Sequence, residues 1–89
     1  MNFNMMFADN LRKVRECAGI TQTDLAQRIG MTASCVSMYE TGRRLPNLLT
    51  TSMIAFTLGV SVDDLVPIVE PDVRVDDPGQ TVIFDLIGE

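Results

Sequence analysis

Between Thr21 and Gly42 the apolar residues fall at helical intervals, and a glycine interrupts them once. Leu25, Ala26 and Ile29 form one stripe at α-helical spacing. Thr21 is placed to cap that helix, with Asp24 in the acidic position of a capping box, so the pattern predicts a start at Gln22. Gly30 suits a left-handed helix end, and Thr32 suits the cap of a second helix running to about Thr41, closed in turn by Gly42. On the second helix Val36 and Tyr39 point inward, and Ala26 is small enough to let the two helices approach. Ala33, Ser34, Ser37, Met38 and Thr41 are left facing out. Further helices are predicted over Met5–Ala18 and Leu48–Leu58, with a short fifth one around Val62–Leu65.

Beyond that point the pattern changes. Pro67, Pro71 and Pro78 forbid continuation as helix, and Asp77-Pro78-Gly79-Gln80 suits a type II turn. Val69–Val75 alternates apolar and charged residues, and Thr81–Ile87 is rich in strand formers, so residues 67–89 read as a β-hairpin. An isolated hairpin is marginal in water and its apolar edge needs a cover. Two covers are open: the chain's own helices, or a second copy of the chain.

Two short helices about a glycine turn make a helix-turn-helix, and the match extends past the turn. Phe7, Leu11, Arg12 and Arg15 upstream, with Glu40, Gly42, Arg43, Pro46 and Leu58–Leu65 downstream, make the chain resemble the lambda-type repressor and Cro family, also called XRE-like. The resemblance implies a mainly α fold: a five-helix lambda-repressor-like DNA-binding domain over residues 1–66, followed by the acidic C-terminal hairpin over 67–89. It also implies that Ala33, Ser34, Ser37 and Met38 approach base edges in the major groove. Relatives often carry Gln, Asn or Arg there, each bidentate bond discriminating by about 1–3 kcal/mol. Ala33 and Met38 offer only apolar contact and the serines single hydrogen bonds, so more is left to DNA shape and backbone contacts.

For the backbone, the resemblance puts Gln22 at a phosphate, with Arg43, Arg44 and Asn47 in a second phosphate-contacting region and Thr21, Cys35 and Tyr39 assisting. A solvated loop is the plain alternative for the two arginines. Arg15 and Glu40 take the positions of the family's ion pair between its first and third helices. Leu48, Ala55 and Leu58 fit the family's inward face of helix four. Leu49, Met53 and Phe56 form a second apolar stripe where relatives place polar residues. That stripe is either a covered interface or core in a slightly rotated helix. Because operator-binding folds use two-fold symmetry, the expected interface is a homodimer joined through Leu49, Met53 and Phe56 and through Val82, Phe84 and Leu86 of the hairpin.

Charge alters this picture in one respect. The net charge of -5 opposes binding to a polyanion, but Met1–Val66 balances six basic residues against six acidic ones. The whole excess lies in residues 67–89, where Arg74 faces Glu70, Asp72, Asp76, Asp77, Asp85 and Glu89. That acidity supports a second reading, an antitoxin-type or other protein-binding module whose tail docks a partner protein.

The remaining composition narrows the classes. Eighty-nine residues with 46% hydrophobic content allow one small domain. Two cysteines and no histidine supply neither a disulfide framework nor a zinc site, so both are expected as free thiols, with no metal and no cofactor. No nucleophile with an adjacent base and no glycine-rich phosphate cradle is present, which argues against an enzyme, and no small-molecule ligand is expected. The N-terminus lacks a secretion signal, and Leu45–Val62, though uncharged, is broken by Pro46 and Gly59, so a cytoplasmic protein without membrane contact is expected. The sum is a dimeric, sequence-specific transcriptional regulator, most simply a repressor that occludes a promoter, as phage and mobile elements use.

Overall fold

A computed structural model of the chain describes residues 2–68, and the hairpin expected over 67–89, with Val82, Phe84 and Leu86, lies outside them except for its first two residues. Four α-helices follow one another: α1 (Phe3–Cys17), α2 (Gln22–Arg28), α3 (Ala33–Glu40) and α4 (Leu48–Leu58). Each begins on a side chain that accepts a backbone N–H from its first turn. Asn2 Oδ1 takes Met5 N at 2.9 Å, Thr21 Oγ1 takes Asp24 N at 3.0 Å, Thr32 Oγ1 takes Cys35 N at 3.2 Å and Asn47 Oδ1 takes Thr50 N at 2.8 Å. The Asn2 cap explains why α1 starts two residues before the expected Met5. At α2 the capping box is only half made, since the Asp24 carboxylate accepts Arg28 Nε at 3.2 Å.

The expected fifth α-helix is a single 3-10 turn, Val62–Asp64. Ser61 N donates to Asp64 Oδ2 at 3.1 Å and Val66 N to Val62 O at 3.0 Å, but Pro67 has no N–H with which to extend the series. Leu65, fully buried, plugs the core below the turn, and Asn10 Nδ2 donates to its carbonyl at 3.0 Å, tying the turn to α1.

The core gathers one stripe from each helix: Phe7 and Leu11, Leu25 and Ala26, Val36 and Tyr39, Ile54 and Ala55, with Leu65 closing it. Fully burying a side chain of the Leu, Val, Ile or Phe type contributes roughly 1.5–3 kcal/mol, so this cluster carries most of the stability. Gly30, at φ +72°, turns α2 toward α3, a left-handed conformation costly for any residue with a Cβ, while Met31 N bonds Ala26 O at 2.8 Å. Helix α4 keeps two of its three expected inward residues, and its second stripe is not core, since Phe56 is 88% exposed. Ala55 and Leu58 face inward, but Leu48 is 77% exposed, because the inner positions of its first turn are taken by Thr50 and Thr51.

Tyr39, the only tyrosine, is 4% exposed, and its hydroxyl donates to Met31 Sδ at 3.6 Å. Burial, and next the hydrogen bond with Cys35, push its phenol up to about 12 from 10.0. A raised folded-state value stabilises the fold below pH 10 and loses that stabilisation as pH rises toward about 12. Tyrosinate absorbance should therefore titrate near pH 12 in the folded chain and near 10 in urea, with unfolding free energy falling across that window.

Candidate nucleic-acid interface

The outward face of α3 carries Ser34, exposed, and Ala33, Ser37 and Met38, half-buried. All four sit on one side of a helix whose N-terminus is held by the Thr32 cap. Beside them stands a network centred on Glu40, which is only 4% exposed. Arg15 Nε donates to Glu40 Oε2 at 2.5 Å and Arg15 Nη2 to Oε1 at 3.1 Å, a bidentate pair between α1 and α3. Arg15 Nη1 adds a bond to Ile20 O at 2.7 Å. The hydrogen bond to Glu40 holds the Arg15 guanidinium above its ordinary value.

Gln22 is the third member. Its Nε2 donates to Glu40 Oε1 at 2.9 Å, and because a carboxylate only accepts, the amide nitrogen must face inward. The side chain expected to reach a phosphate alone is thus anchored from behind, presenting Oε1 and its second N–H to the surface. Sequence reading placed Arg15 and Glu40 together but treated Gln22 separately. No spacing in the sequence signals the contact, since Gln22 and Glu40 lie eighteen positions apart.

The other expected phosphate residues divide by what already occupies them. Thr21 and Asn47 are exposed, but each uses its side-chain oxygen as a helix cap, leaving Asn47 its amide N–H groups. Cys35 is half-buried, a free thiol donating to Met31 Sδ at 3.8 Å. Tyr39 belongs to the core and offers little surface.

Arg43 and Arg44 are exposed, on a loop fixed by backbone bonds from both N–H groups to Met38 O at 3.0 and 3.3 Å. Asp9 pairs with Arg12 and Lys13, and Asp24 pairs with Arg28, all at the surface. Among the described residues Arg43 and Arg44 enter no ion pair, so they concentrate the domain's uncompensated positive charge beside α3.

Two residues of α1 that the sequence did not single out hold this loop. Asn4 Nδ2 approaches Gly42 O at 3.5 Å, and a Cβ at Gly42 would meet Met5 Sδ at 2.7 Å. Gly42 is required for its φ of +78°, while the flexible, exposed Met5 side chain could move aside from an added Cβ. Elsewhere, Leu49 (69%) and Phe56 (88%) project from α4 with half-buried Met53 between them. Among the described residues there is no cluster able to hold a metal ion, and no helix is long and apolar enough to cross a membrane.

Known proteins share this arrangement. The helix-turn-helix family pattern matches residues 11–65, and the chain belongs to that family, in its lambda-repressor and Cro branch. It is 38% identical over 60 residues to the uncharacterized HTH-type transcriptional regulator YqaE of Bacillus subtilis, a match covering 67% of this chain and 52% of that protein. Its fold resembles the restriction-modification controller protein C.AhdI of Aeromonas hydrophila, with a TM-score of 0.66, 30% identity, and coverage of 68% of this chain and 88% of the other. It also resembles a part of hydroxypropylphosphonic acid epoxidase from S. wedmorenis, with a TM-score of 0.71 and 28% identity over 86% of this chain and 43% of that enzyme. The chain spans 52% and 56% of the length of two regulators of B. subtilis that it matches.

The Glu40 network makes a stability prediction that separates its members. Glu40→Ala strands the Arg15 charge and should cost about 3–5 kcal/mol in urea denaturation. Gln22→Ala removes one partially exposed hydrogen bond and should cost only about 1 kcal/mol.

Proposed function

We propose that the chain is a DNA-binding transcriptional regulator acting as a homodimeric repressor. The observation that carries this reading is the open outer face of α3 lying beside Arg43 and Arg44, the two cations without an ion-pair partner among the described residues. Helix α3 enters the major groove by its N-terminal end, with Ala33, Ser34, Ser37 and Met38 at base edges. Met38 and Ala33 suit thymine methyl groups, and the two serines donate or accept singly. Gln22, backed by Glu40, and the Arg43–Arg44 loop with Asn47 grip phosphates on either side of the groove.

Because the base-reading side chains form no bidentate hydrogen bonds, discrimination rests substantially on DNA shape and on the fit of the backbone contacts. Two copies, joined through the exposed stripe Leu49, Met53 and Phe56, set two α3 helices about one helical turn of DNA apart, on a pseudo-palindrome. A dimer so placed represses by occluding a promoter. The helix-turn-helix regulators among its relatives favour this reading over catalysis, and the likeness to the epoxidase covers less than half of that enzyme.

Selection of duplexes from a random pool by the full-length protein should enrich an inverted repeat bound by two chains. Failure to enrich any sequence would refute the proposal. On the selected site, Arg43→Ala or Arg44→Ala should weaken binding to all sequences and reduce the salt slope by about 0.9 each, whereas Ser34→Ala or Met38→Ala should change base preference at single positions. Phe56→Lys should yield monomers in sedimentation, and a persisting dimer would remove α4 from the interface.

A further inference from the structure

An apolar groove of about 240 Å³ runs between the start of α1, the loop after α3 and the 3-10 turn, lined by Phe3, Phe7, Leu45, Leu48, Val62 and Val66. It lies apart from the outer stripe of α4 and takes no part in the reading of α3 as the DNA-facing helix. Leu48 and Leu45 expose 77% and 41% of their surface along it. Isolated exposed leucines are ordinary on a protein surface, but here they form the rim of a concave site with an aromatic floor.

We propose that this groove receives the chain's own segment Thr81–Ile87. Three observations select that occupant over a separate protein. The groove is built at the point where the segment departs, since Val66 is one of its walls and Ile68 follows at 91% exposure. Residues 69–80 span at most about 3.3–3.6 Å each when extended, which exceeds the length of any helix here and lets the segment return to the groove. Finally, the charges are complementary: residues 67–89 carry the entire net charge of -5, while the groove wall at Leu45 continues directly from Arg43 and Arg44.

Docking puts Phe84 and its aliphatic neighbours against the leucines and sets Asp85 and Glu89 beside the two arginines. Those carboxylates then occupy the cations that the proposed DNA reading assigns to phosphates, so the C-terminal segment restrains binding to DNA. The docking stands without the DNA reading, and the restraint rests on it.

The test uses the full chain. Phe84→Ser should shift the backbone amide resonances of Phe3, Leu45, Leu48 and Val66 in nitrogen-15 spectra. Changes confined to the neighbours of residue 84, or changes at Leu49, Met53 and Phe56 accompanied by loss of dimer mass, would overturn the docking. Asp85→Asn combined with Glu89→Gln should tighten binding to a random-sequence duplex several-fold at low salt, with the difference closing at high salt. Equal affinity at low salt would overturn the restraint. If neither protein binds DNA while the Phe84→Ser shifts appear, the DNA reading fails and the docking survives.

Discussion

The carboxylate of Glu40 is the constraint around which α1, α2 and α3 are arranged. A buried charge is tolerable only with close partners, and Glu40 draws them from two other helices: the Arg15 guanidinium of α1 and the Gln22 amide of α2. Arg15 also bonds the Ile20 carbonyl, so the same guanidinium fixes the connection leading into α2. The angle between α2 and α3 is therefore set from both ends. Gly30 and the Met31 to Ala26 bond act at the turn, and the Glu40 network acts across the open side. The apolar core supplies the greater share of stability and holds α4, while the polar network ties α1, α2 and α3 to one another.

Much of this fold was legible because its signals are local. Thr21, Gly30, Thr32 and Gly42 punctuate the chain within a turn of the features they control, and the inward positions of Val36, Tyr39 and Ala26 follow from helical spacing alone. What escaped was decided by tertiary packing and backbone donors rather than by the spacing of apolar residues. Leu48 turned outward because Thr50 and Thr51 fill the inner positions of that first turn. The inward pull on Gln22 came from a residue eighteen positions away. The approach of Asn4 to the Gly42 carbonyl beside the Arg43–Arg44 loop spans thirty-eight positions, and no periodicity records it. The spacing of Val62 and Leu65 predicts a short fifth helix, whereas the backbone donor missing at Pro67 limits it to a single 3-10 turn.

The charges show a division that net charge conceals. Asp9 and Asp24 are engaged with cations on their own helices, and the Asp9 carboxyl is held below its usual range, chiefly by its hydrogen bond with Lys13. Local pairing of this kind leaves the Arg43–Arg44 loop as the electropositive feature next to α3 even though residues 1–66 sum to zero. A uniform spread of the same residues would create no such asymmetry.

The outer side of α3 contributes little to any of these supports. Ser34 is exposed, and Ala33, Ser37 and Met38 provide no side-chain hydrogen bond to the core network, whereas Val36, Tyr39 and Glu40 on the opposite side anchor the helix. Along one eight-residue helix, the residues that maintain the architecture and those that the proposed reading turns toward DNA are thus different residues. Such a partition makes the outer positions free to vary under selection. A lineage carrying this scaffold could acquire a new recognition preference by single replacements on α3, each step leaving the domain folded.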